Sequence, residues 1–422
     1  MPTRRSVFTL ASGAVVGAAT AGVASPASAH DAGPSAWTAT WAAPPTTIPP
    51  APPTVLEGQT VRQVVHCSTG GDELRLRLTN EFGDTPLHIG AVHVARRDGD
   101  GASTATVAGT DRPVTFGGRG DVVIPPGAPL VSDPVRLRLP AGGDLAISLY
   151  LPDRTPVTTL FAFSFQDNVI ATGNVTAART VTATATVQQN TFLSGVAVRK
   201  RAGAIVALGD SITNGHNTRA NLNHRWPDLL AARLRAIGVD RGVANVGIAG
   251  NRLLHDPTTE AVAETFAAYF GQGGLRRFDR DVLSQSGGRY LIVLLGVNDL
   301  GHPGTIAPAS ESVTADDLIA GHRQIIVRAH DAGLAAYGGT ILPFKNDTLG
   351  FSTPENEVKR QALNRWIRTS GEYDAVIDFD RAMGDPADPL ALNPAYDSGD
   401  HLHPNEAGMA AMAAAVPLRY LR

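Results

Sequence analysis

One cysteine in 422 residues, Cys67, leaves no partner for an intramolecular disulfide, and its apolar–polar surroundings make it a small buried residue of a strand. Charge of one sign is also lacking: 36 Lys and Arg stand against 39 Asp and Glu, a formal net charge of -3. Without a basic stripe there is no electrostatic footprint for nucleic acid, and without a block of like charges there is no interaction tail. No stretch recurs at a fixed period.

What is present begins with an export signature. Arg4-Arg5 precede a small-residue apolar stretch, Val7 to Ala24, and Ala27-Ser28-Ala29 is an A-x-A cleavage site. Residues 1–29 are thus expected to be a signal peptide and the mature, secreted chain to begin at His30. The weak apolarity and the cleavage site argue against a lasting membrane anchor. The paired arginines point to the twin-arginine route, although Phe8 falls one residue later than that pattern places it.

Trp37–Trp41 has strand character, Pro44–Pro53 is proline-rich, and from Gln59 to about Val198 the hydrophobic period is two. Thr60–Cys67, Glu73–Thr79, Val135–Leu139, Asp144–Tyr150 and Thr180–Val187 alternate apolar and polar, and Gly70-Gly71-Asp72, Asp98–Gly101 and Pro125-Pro126-Gly127 mark turns between them. Residues 37–198 are therefore predicted to form an antiparallel, jelly-roll-like β-sandwich. Its role is open between glycan binding, walling a cleft and simple support. Trp37 and Trp41 suit either a core or a sugar platform.

Residues 202–422 change character. Strands are expected at Ala204–Leu208, a fully apolar run, and at Val243–Ile248, Tyr290–Leu295, Ala335–Ile341 and Ala375–Phe379, alternating with helical patterns at Trp226–Ile237, Pro257–Phe270, Ala315–Ala332, Pro354–Thr369 and Asn405–Leu418. Buried strands joined by crossover helices predict an α/β/α domain with a parallel sheet.

Two points in this half carry chemistry. Ala204–Leu208 runs into Gly209-Asp210-Ser211, placing a serine at the carboxyl end of a buried strand, where open α/β sheets bind ligands. A helix cap or tight turn would use the same residues. Far along the chain, Asp400-x-x-His403 supplies an imidazole and a carboxylate from one turn, as a serine nucleophile requires. That turn could equally cap a helix, or Asp400, His401 and His403 could hold a metal, although no further ligand spacing supports the latter. Neither end decides alone.

Together with two further blocks they resemble the SGNH, or GDSL-type, hydrolases. The blocks occur in order: Gly209-Asp210-Ser211-Ile212-Thr213, Asn245-Val-Gly-Ile-Ala-Gly250-Asn251, Gly296-Val297-Asn298-Asp299 and Asp400-x-x-His403-Pro404. The resemblance implies a flavodoxin-like three-layer fold and a serine esterase with Ser211 as nucleophile, His403 as base and Asp400 orienting it. It further implies an oxyanion hole from the Ser211 and Gly250 amides and the Asn298 side chain, and no metal or organic cofactor. His401 lacks the three-residue spacing from Asp400. Asp210 and Asp299 are read as structural, as are Asp378 and Asp380, for which the pattern shows no partner.

The blocks do not name the substrate. Arg252, Leu253, Leu254 and His255 follow the oxyanion glycine and are expected to line the cleft, together with His302–Ile306 and Phe344–Asp347. Arg252, His255 and Phe344 are the candidate substrate-binding residues. This mostly polar lining favours short acyl groups on a polar or carbohydrate carrier, small or polymeric. A lipase or lysophospholipase is the close alternative, and a non-catalytic glycan- or wall-binding protein the distant one. A glycosidase would need two facing carboxylates that the sequence does not offer. The chain is expected to be monomeric, with every catalytic group after Ala202.

Overall fold

A computed structural model describes residues 36–50, 52–258 and 264–422. The export signature and the middle of the helix expected over Pro257–Phe270 lie outside the described residues.

The α/β half is built on five parallel strands, β1 (Ala204–Gly209), β2 (Gly242–Gly247), β3 (Gly288–Leu294), β4 (Ala335–Gly339) and β5 (Ala375–Ile377), in the order β2-β1-β3-β4-β5. This is the flavodoxin-like order, whose direction reverses at β1 and β3. Four long helices flank it: α1 (Trp226–Ala236), α2 (Ala315–Asp331), α3 (Pro354–Thr369) and α4 (Glu406–Ala415).

The reason β1 is apolar throughout is that both its faces are covered. Val206 and Leu208 join one core with Leu318 and Ile325 of α2 and Leu363 and Ile367 of α3. Ile205 and Ala207 join the opposite core with Trp226, Leu230 and Leu234 of α1 and Met409 and Met412 of α4. The helices start where their caps stand. Thr314 and Asp317 form a capping box on α2, Thr353 caps α3 with Pro354 at its first turn, and Asn405 caps α4. That last helix ends at Ala415, earlier than its alanine-rich pattern suggests, two residues before Pro417. Short helices at Ser211–Asn214, Gly274–Phe278, Val297–Gly301 and Phe379–Met383 were not legible as periodic segments.

The N-terminal half is an antiparallel sandwich. One sheet runs Trp37–Ala42, Leu193–Arg199, Gly71–Thr79 and Val135–Leu139, and the other Asn168–Thr172, Gln59–His66, Asp144–Leu151 and Ala91–Arg96. Leu74, Leu76 and Leu78 of the first share a core with Leu145, Ile147 and Leu149 of the second. Within the expected strand Thr180–Val187 only Ala185–Val187 pairs, at a sheet edge with its side chains largely exposed. Alternating Ala and Thr present too little apolar area to bury a face. Cys67 is buried just after a strand. Trp37 lies under the Arg75 guanidinium at 4.5 Å, and Trp41 packs on the sandwich core. Neither tryptophan stands as an open platform.

Ser35–Arg422 is one compact unit. The first sandwich strand lies beside β2, where Ala39 and Ala42 enter the core of the parallel sheet. The Ala39 amide donates to the Ser286 carbonyl at 2.7 Å, and the Val243 amide of β2 to Ser68 Oγ at 2.8 Å. The edge strand is thereby covered rather than left open.

Candidate active site

Beyond β1 the chain turns sharply into the helix Ser211–Asn214. Asp210 caps it, its Oδ1 accepting from the Ile212 amide at 2.9 Å, and Gly215 closes it at a φ of 97°. The turn is too tight for a side chain at position 209: a Cβ there would stand 2.1 Å from Thr213 Oγ1. Ser211 thus sits at the switch point of the sheet, at the N-terminus of a helical turn whose first amides lack helical acceptors.

His403 comes to it from the loop before α4. Ser211 Oγ and His403 Nε2 are 2.8 Å apart, and His403 Nδ1 is 2.7 Å from Asp400 Oδ2. Asp400 Oδ1 also accepts from the Leu402 and His403 amides at 3.0 and 2.8 Å, while Asn217 Nδ2 donates to Oδ2 at 3.1 Å. Burial alone would raise this carboxyl. The hydrogen bond and charge of His403, with the two amides, outweigh burial and hold Asp400 well below the ordinary carboxylate range. His401 points elsewhere: its φ is 61° and its Nδ1 meets Asp397 Oδ2 at 2.5 Å.

The loop after β2 holds Gly250 at a φ of 74°, and a Cβ there would stand 2.2 Å from the Phe270 ring. Both constraints exclude other residues. Among the described residues neither the Ser211 nor the Gly250 amide donates to a protein acceptor. Asn298 is buried, and its Nδ2 donates to the Asn251 carbonyl at 2.9 Å, which engages one of the two amide hydrogens. Asp299 accepts from the Leu253 and Leu254 amides at 2.6 and 2.9 Å and so ties the loop after Gly250 to the one bearing Asn298. Burial pushes Asp299 up to about 6 and Asp210 up to about 7.

Two candidate substrate contacts are elsewhere than expected. Phe344 is 2% exposed and belongs to the core with Phe351 and Leu363, because its apolar ring gains more from burial than a cleft offers. Arg252 is also buried; its guanidinium pairs with Glu311 at 2.5 Å and reaches the Asp256 carbonyl, bracing its own loop. His255 stays partly exposed and borders a cavity beside Gly250, with Phe270, His302 and Ala307. That cavity is about 10 Å³, room for one water-sized group. Asp378 and Asp380 have partners after all: Arg368 binds both, and Arg360 binds Asp380.

Three residues near the site carried no periodic or motif signal. His216 packs on His403 with ring centroids 4.4 Å apart, and burial followed by the His403 charge pushes it down to about 4. Asn217 supports Asp400 as described. Arg277, fully buried, donates through Nε to Asn251 Oδ1 at 3.0 Å, through Nη1 to the Val246 carbonyl at 2.7 Å and through Nη2 to the Gly209 carbonyl at 3.1 Å. Its counter-charge is Asp281, at 3.2 Å. One guanidinium therefore joins the carboxyl ends of β1 and β2 behind the serine and the glycine.

Residues 207–411 match the model of the GDSL-like lipase/acylhydrolase family, so the chain carries a hydrolase domain of that family. The class is a carboxylic ester hydrolase. Among solved structures it is similar to an acetylxylan esterase from Geobacillus stearothermophilus, at 19% identity over 52% of this chain and 95% of that one, TM-score 0.38. It is also similar to a GDSL-like lipase from Bacteroides thetaiotaomicron, at 18% identity over 51% of this chain and 86% of that one, TM-score 0.37. Comparison with curated proteins gives no significant match.

Proposed function

We propose that this protein is an exported serine esterase that removes short acyl groups from polar or carbohydrate alcohols through an acyl-enzyme on Ser211. The observation that carries this reading is the unbroken series Ser211 Oγ, His403 Nε2, His403 Nδ1, Asp400 Oδ2, with contacts of 2.8 and 2.7 Å. Asp400 stays ionised and keeps the proton of neutral His403 on Nδ1, which leaves Nε2 free to accept the serine proton as Oγ attacks the ester carbonyl. The oxyanion is received by the Ser211 and Gly250 amides and the second Asn298 hydrogen, each such donor being worth about 2.7–4 kcal/mol. His403 then passes its proton to the departing alcohol, and water repeats the sequence to free the acid. Arg4-Arg5 and Ala27-Ser28-Ala29 support export.

Hydrolysis of p-nitrophenyl acetate, butyrate and octanoate by wild type and Ser211→Ala tests this. The expected result is kcat/KM falling at least ten-fold from acetate to octanoate and a dead Ser211→Ala. Octanoate preferred over acetate would favour a lipase, and a Ser211→Ala variant that keeps a tenth of the activity would remove Ser211 as nucleophile.

A further inference from the structure

An ester's leaving alcohol must approach the histidine that protonates it, so it lies beside His403 Nε2 and away from the oxyanion donors. A series of ring contacts runs from His403 into the sandwich half. His216 lies against His403, and Phe165, from the sandwich, meets His216 edge-on with centroids 6.3 Å apart. Both rings are only partly buried.

Phe165 is held at a φ of 48°, a region that bulky side chains avoid. The α/β half keeps it there. The Asn221 amide donates to the Phe165 carbonyl at 2.9 Å, and Asn221 Oδ1 accepts from Gln166 Nε2 at 2.8 Å and the Asp167 amide at 2.7 Å. Asn221 Nδ2 returns a bond to Asp167 Oδ2 at 2.8 Å, and Arg225 reaches the Ser164 carbonyl. Next to the serine, Asn214 Nδ2 donates to the Phe163 carbonyl at 3.0 Å. A strained residue fixed from every side by its surroundings is the mark of a functional position. Glycine or asparagine would hold this backbone with less strain, so the ring needs a reason beyond the turn.

We propose that Phe165 and His216 form one wall of the leaving-alcohol subsite, and that the alcohol it accepts carries its ester oxygen on a six-membered ring, pyranose or aryl, which packs against the Phe165 face. This rests on the triad reading above and adds that the sandwich supplies part of the active site. Partly buried against His403, His216 stays neutral in the working range and presents an uncharged ring to the alcohol.

The experiment holds the acyl group constant and varies the alcohol: ethyl acetate, phenyl acetate and a methyl pyranoside carrying one O-acetyl group, assayed with the full chain. The readout is kcat/KM for each ring ester divided by that for ethyl acetate, which cancels general effects on the catalytic groups. In Phe165→Asn, which suits the left-handed backbone, the ratio is expected to fall roughly ten-fold, the loss of one aromatic contact. Phe165→Tyr keeps the ring and is expected to keep the ratio. The two ring esters separate the sources, since a fall for only one names the alcohol. An unchanged ratio in Phe165→Asn for both overturns the subsite, whether or not absolute rates drop. Ser211→Ala run alongside keeps the two readings apart: activity surviving there defeats the triad, whereas a dead serine variant with an unchanged Phe165→Asn ratio defeats only the subsite.

Discussion

The Arg277 guanidinium reaches the Gly209 carbonyl at 3.1 Å, across 68 residues of chain. Gly209 ends the strand that delivers Ser211, and the same side chain binds Val246 and Asn251 on either side of Gly250. The proposed nucleophile and the proposed oxyanion glycine are thus set by one buried cation. Arg277→Met fills the space but leaves Asn251 Oδ1 without its donor and removes the buried cation paired with Asp281. It is expected to cost roughly 3 kcal/mol in urea-unfolding stability, the scale of breaking a buried ion pair, and to lower kcat more than it raises KM. A variant as stable and as active as wild type would show the clamp to be dispensable.

The two neighbouring histidines are expected to separate cleanly. His403→Ala should lose at least about 10³-fold in turnover on p-nitrophenyl acetate, since members of a triad act as a unit. His401→Ala, whose ring faces Asp397, should keep most of it. The reverse ranking in a steady-state assay would move the base to His401.

Asp210 offers a signed pH test. Its folded value, raised from 3.8 to about 7, exceeds its unfolded one, so the folded state holds the extra proton between those values and loses this contribution as pH rises through about 7. Asp210→Asn keeps an Oδ1 for the Ile212 amide and cannot ionise. Relative to wild type, its stability should grow from pH 4 to pH 7 and then level off, by a few kcal/mol in order of magnitude. A difference that is flat with pH, measured as urea midpoints, would show that Asp210 is not held protonated.

A fragment from Val198 to Arg422 contains the whole triad, and the sequence alone suggests near-normal turnover on a small ester. The contacts across the junction revise that expectation. Asn214 would lose the Phe163 carbonyl, Val243 the Ser68 hydroxyl, and β2 its cover by Ala39 and Ala42. The fragment should aggregate or turn over p-nitrophenyl acetate at least ten-fold more slowly than the chain from His30. Size-exclusion chromatography and kcat decide it: a soluble fragment as fast as that chain would mean the sandwich is not needed for these small substrates.

What the sequence determined by itself is whatever depends on neighbours along the chain. The fully apolar run Ala204–Leu208 and four largely apolar segments marked the five parallel strands, period-two alternation marked Val135–Leu139 and Asp144–Tyr150, and Pro354 stands at the start of α3. The short-range spacing Asp400-x-x-His403 likewise placed carboxylate and imidazole in one turn. Only the tertiary structure decided contacts between side chains far apart in the chain. Arg252 and Phe344 went inside because a carboxylate partner, Glu311, and an apolar core were available to them. Arg277 and His216 became neighbours of the site, and Phe165 of the sandwich came against the His216 ring. Such placements follow from which faces the packed layers bring together, and no local period or motif encodes that.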